Sequence, residues 1–114
     1  MEFLLLLYAD QAGFEKLTPA EAKDAMNAYG AYTGALQNAG VLRGSNRLRP
    51  THTATTVRFE GASEPIVRDG PFIEGNEVIG GYVAINVADL DEALVLAKSW
   101  PGGGSVEIRP TVEQ

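Results

Sequence analysis

A single histidine, His52, and the absence of any cysteine limit the chemistry open to this 114-residue chain. Histidine is the one side chain that titrates near neutral pH without perturbation. His52 therefore has two readings: a solvated surface imidazole, or a proton shuttle with Asp69 or Glu74 as its carboxylate partner. Asp69 stands directly before Gly70-Pro71, a dipeptide that forces an extended backbone and a sharp turn. Its carboxylate either organises that turn by accepting backbone hydrogen bonds or serves as a general base at the mouth of a cavity. Arg58 and Arg109 sit in strand-like runs, where an inward guanidinium must be paired because a buried lone charge is costly. Strand alternation offers Glu107 to Arg109, and Asp69 is the expected partner of Arg58. The alternative is an anion clamp that holds a carboxylate or phenolate ligand. Tyr82 either donates a hydrogen bond into the same cavity or simply packs.

Other chemistries fail on inventory. Without cysteine there is no thiolate nucleophile, no disulfide and no cysteine-ligated metal. One histidine leaves only a carboxylate-rich metal site, and no spacing supports one, so neither metal nor cofactor is expected. Gly102-Gly103-Gly104-Ser105 is glycine-rich, but it precedes a strand and lacks the phosphate-loop lysine. There is no Gly-x-Ser-x-Gly elbow and no dinucleotide fingerprint. The net charge of −6 argues against nucleic acid, which needs clustered Lys and Arg. The charge is uneven, however. Between Asp24 and Glu60 there is no acid, while Arg43, Arg47, Arg49 and Arg58 all fall there. That stretch is either a solvated face or a local positive field for a small anion. No apolar run reaches the ~20 residues that span a bilayer, and the opening Met-Glu-Phe-Leu lacks the basic start of a signal peptide. A cytoplasmic protein with a single domain over residues 1–114 is expected, with no membrane partner.

These side chains need a scaffold, and the pattern supplies one. Phe3 to Tyr8 is a short apolar run that fits a buried strand, broken at Asp10 to Gly13. Thr18-Pro19-Ala20-Glu21 combines a cap, a first-turn proline and a capping-box glutamate. Ala22, Ala25, Tyr29, Tyr32, Leu36 and Ala39 then follow at helical spacing up to Gly40. Thr53 to Glu60 is rich in β-branched residues and predicts a strand that turns at Gly61 into Ile66 to Arg68, a hairpin. Alternation from Thr53 would put His52, Ala54, Thr56 and Arg58 on one face. Tyr82 to Val87 predicts a further strand, Asp89-Leu90-Asp91-Glu92 starts a second helix, and Ser105 to Arg109 closes with a last strand. The order is that of an α+β, ferredoxin-like β-α-β-β-α-β domain with an added hairpin. Two helices cannot cover both faces of the sheet. Val83, Ile85 and Val87, or their alternates, need a second copy packed sheet to sheet, so a homodimer is expected.

Thr55-Thr56-Val57-Arg58, Asp69-Gly70-Pro71-Phe72 and Ser105-Val106-Glu107-Ile108-Arg109-Pro110 form an ordered set of signatures. With Gly80-Gly81-Tyr82, Asp89-Leu90-Asp91-Glu92-Ala93 and Ala39-Gly40-Val41-Leu42, the chain closely resembles the DGPF branch of the YCII-related family. The resemblance implies a dimeric α+β barrel, and for some members an association with sigma-factor systems. Certain relatives in the wider group are lyases, with a proposed catalytic pair of a His in the first helix and an Asp near its end. Here the corresponding stretch reads Met26 and Asn38, so that mechanism does not transfer.

Three functions follow as expectations. The first is a dimeric protein that binds a small organic anion or aromatic ligand in a cavity lined by Asp69, Arg58 and His52, with Tyr82, Arg109 and Glu74 around it. The second is a cofactor-independent lyase or isomerase working by acid–base catalysis through Asp69 and His52. The third is an accessory protein of a sigma-factor regulatory system.

Overall fold

Strand β1 (Glu2–Asp10) alternates between buried and half-buried positions, and that alternation organises the whole domain. A computed structural model describes residues 1–113, with Phe14 by its backbone only. A short helix α1 (Gln11–Glu15) follows β1, then the long helix α2 (Pro19–Asn38) and strand β2 (Leu42–Arg47). After a 3-10 turn at Thr51–Thr53 come β3 (Thr55–Arg58), β4 (Ile66–Asp69), β5 (Glu77–Asn86), helix α3 (Leu90–Lys98) and β6 (Ser105–Pro110). The main sheet runs β2-β5-β1-β6 with antiparallel pairing throughout, and β3 and β4 form a separate two-stranded sheet. The protein is a mixed α+β structure.

Helices α2 and α3 start as the sequence predicts. Thr18 Oγ1 accepts from the Glu21 amide, and the Glu21 carboxylate accepts from the Thr18 amide, each at 3.1 Å. Asp89 caps α3 by accepting from the Glu92 amide at 3.0 Å. The helices cover one sheet face, where Phe3, Leu5 and Leu7 meet Val83, Ile85, Val87, Tyr32, Leu36 and Ala93 in the core. Val83, Ile85 and Val87 are therefore hidden within one chain. Their alternates are the ones left over: Tyr82 and Ala84 pair in register with Leu6 and Leu4 on the opposite, half-buried face.

One expected strand is shorter and one strand was not expected. The strand expected over Thr53 to Glu60 is confined to Thr55–Arg58, and it pairs with β4 as the expected hairpin, apart from the main sheet. One edge of the main sheet is taken by β2, whose Leu-Arg-Gly-Ser-Asn-Arg sequence has no apolar alternation. An edge strand pairs by its backbone and buries few side chains, so it leaves little hydrophobic pattern to read. β1 ends at Asp10, as expected, and α1 begins at once, with Asp10 Oδ1 accepting from the Ala12 amide at 3.3 Å.

Candidate functional site

The residues singled out from sequence do not meet. In the β3–β4 register Thr55 faces Asp69 and Arg58 faces Ile66. Asp69 and Arg58 thus lie on opposite faces of the hairpin and three residues apart along it, about 10 Å. Arg58 pairs instead with Glu60 at 3.7 Å, with both side chains about half exposed, and its guanidinium lies 5.7 Å from the Phe72 ring centroid. His52 is exposed in the 3-10 turn, so strand alternation begins only after it and does not align it with Arg58. Asp69 and Glu74 are also exposed. The turn after Asp69 is held by its backbone and by Thr56 rather than by the Asp69 carboxylate. Gly70 adopts φ +102°, its amide donates to the Ala54 carbonyl, and its own carbonyl accepts from Thr56 Oγ1, both at 2.7 Å.

The last two expected residues lie on the outer sheet face, away from the hairpin. Arg109 pairs with Glu107 at 3.5 Å, as alternation predicts, and Glu107 also accepts from Tyr8 Oη at 3.2 Å. Partial burial, and then this hydrogen bond, push the Tyr8 phenol above its usual pKa. Tyr8 therefore stays a neutral donor. Tyr82 Oη accepts from Asn46 Nδ2 at 2.8 Å, which ties β5 to the edge strand β2.

A cavity of about 390 Å³ opens elsewhere, between α2, the end of β1 and the loop from α3 to β6. Its wall includes Asp10, Tyr29, Arg47, Trp100 and the glycine loop, and includes none of Asp69, Arg58 or His52. The sequence builds this space directly. Ala25 occupies the sheet-facing stripe of α2 one turn before Tyr29, and a methyl group there leaves the volume a leucine would fill. Trp100 stacks edge-on against Tyr29 and Tyr32, with centroids 5.8 and 5.3 Å away. Tyr32 Oη donates to the Leu96 carbonyl at 2.6 Å, which fixes that aromatic wall to α3. Burial raises the Tyr32 pKa, so its hydroxyl too remains a donor. Gly104, at φ +69°, lets the loop close on β1, because a Cβ there would collide with the Tyr8 carbonyl oxygen. Arg47 reaches across from β2, its guanidinium 5.8 Å from the Tyr29 ring centroid and one Nη against the Met26 sulfur.

An aromatic wall, a guanidinium and a carboxylate around a few hundred Å³ suit a small flat molecule with one charged or hydroxyl group. Sequence reading missed this set because each member has a sufficient local explanation. Tyr29 reads as helix packing, Gly102 to Gly104 as a loop before a strand, and Asp10 as a strand break. The available signal was Ala25 at a core-facing position beside two large aromatics. Among the described residues no group of three or more His, Asp or Glu side chains gathers to hold a metal. No described helix is long and apolar enough to cross a membrane.

Comparison with known proteins places this geometry in a family. Residues 1–113 match the YCII-related domain, and the chain belongs to that family. An uncharacterised protein of Rhizobium meliloti (strain 1021) is 37% identical over 114 residues, covering 96% of this chain and 91% of the relative.

Proposed function

We propose that this protein is a homodimeric member of the DGPF branch that binds a small organic anion, aromatic in character, in the cavity beside Trp100. The observation that carries this reading is the cavity wall itself, where Arg47, Asp10, Tyr29 and Trp100 face about 390 Å³ of space. That volume lies within the ~300–1,000 Å³ range of small-molecule sites. The hairpin residues Asp69, Arg58 and His52 stand outside this site.

The dimer reading rests on the outer sheet face. Leu4, Leu6, Tyr82 and Ala84 are half-buried with no helix over them, and the strand order β2-β5-β1-β6 is the one a ferredoxin-like β-α-β-β-α-β chain adopts. Two such faces packed about a two-fold axis make a dimeric α+β barrel.

A thermal-shift screen of aromatic carboxylates and phenolates tests the binding reading. At least one should raise the melting temperature of the wild type and leave Ala25→Phe unmoved, because the larger ring fills the space. Equal shifts in both proteins would place any binding elsewhere and overturn the assignment. A second reading is favoured by Asp10 alone: a carboxylate in the wall can take a proton from a bound ligand, making the protein a cofactor-independent lyase or isomerase. Exchange of ligand protons with solvent deuterium, lost in Asp10→Asn, is its signature.

A further inference from the structure

The β3–β4 hairpin projects with its apolar side chains in water. Val57, Phe59, Ile66, Val67, Phe72 and Ile73 are between 43% and 79% exposed. Together they present on the order of 500 Å² of apolar surface, at the upper end of what a monomer leaves open. A two-stranded hairpin by itself is marginal in water, and this one pairs only with itself. The radius of gyration, 16.1 Å, also exceeds the ~13 Å expected of a compact chain this long.

We infer that this hairpin is an arm that packs on a second copy of the chain. The inference rests on the dimer proposed above and adds the arm as the part that completes its interface. Area selects a second copy as the occupant. Four strands of about six residues offer a face on the order of 400 Å², roughly half of the ~800 Å² each partner contributes to a stable interface. The apolar surface of the arm supplies an amount of the size that is missing. The hairpin is also two-sided: Val57 and Val67 share one face, while Arg58 and Arg68 share the other. It can bury the valines and leave the arginines in water.

The chain has no cysteine, so a photo-crosslinking benzoyl-phenylalanine at Phe59 or Val67 is the cleaner label, and mixing ¹⁴N and ¹⁵N copies tells contacts between copies from contacts within one. Irradiation should give a species of twice the chain mass whose linked peptides carry both isotopes. Val67→Asp should weaken dimerisation at least tenfold while circular dichroism stays unchanged. Cross-links confined to one copy, with a Val67→Asp dimer as tight as wild type, would overturn the arm and leave the sheet-face dimer standing. A wild-type monomer by light scattering would overturn both.

Discussion

Arg58 shows how a side chain placed in a strand motif can be read too deeply. It pairs with Glu60 on an open hairpin, and such exposed pairs contribute about 0.2–1 kcal/mol at most. Arg58→Lys should therefore change unfolding free energy by less than about 0.5 kcal/mol, as judged by urea denaturation. A loss of several times that would mean the guanidinium is buried against something the single chain does not contain. Glu21 behaves differently because it is tied into a cap. Its pKa is lowered, chiefly by the hydrogen bond from the Thr18 amide. A depressed carboxylate stabilises the fold at pH above its unfolded value, and that contribution is lost as pH falls through the folded value. Glu21→Gln keeps an acceptor that does not titrate. The stability gap between wild type and Glu21→Gln should accordingly shift against the wild type on acidification, and a gap independent of pH would contradict the cap.

At the scale of elements, the glycine loop between α3 and β6 sets the shape of the cavity. Gly104→Ala adds both a left-handed strain and a collision with the Tyr8 carbonyl. It should cost about 2 kcal/mol or more in thermal or chemical unfolding and alter the cavity at the same time. The elements that bury a regular apolar stripe were legible from sequence: β1, α2 from its capping box, β5, α3 and β6. What escaped was the strand that pairs mainly by its backbone. The edge strand β2 reads as a polar, arginine-bearing loop, and its place in the sheet is decided by contact with β5, far away in sequence. The site escaped for a related reason. Asp10, Tyr29, Arg47 and Trp100 come from four separate segments, and only the packing of α2 and the glycine loop on the sheet brings them to one cavity. The motif Asp69-Gly70-Pro71-Phe72 was legible as a turn, and the structure shows that Gly70 and Thr56 hold it.

For the molecule as a whole, one chain leaves apolar side chains open on two surfaces: the outer face of the sheet and the projecting hairpin. A 12.1 kDa chain should give about twice that mass by light scattering at micromolar concentration. Leu6→Lys should shift it toward monomer, because in the proposed dimer the charge would fall in the centre of the packed sheets. The cavity makes a separate claim, and the protein carries its own reporter for it. Trp100 is the single tryptophan and forms part of the cavity wall. The most direct measurement is therefore a titration of Trp100 emission with an aromatic carboxylate or phenolate that stabilises the protein, run on wild type and on Arg47→Met. A saturable change in wild-type emission, weakened about tenfold or more without the Arg47 charge, is the predicted result. Saturable binding by calorimetry that leaves the Trp100 emission untouched would contradict the assignment of this cavity as the ligand site.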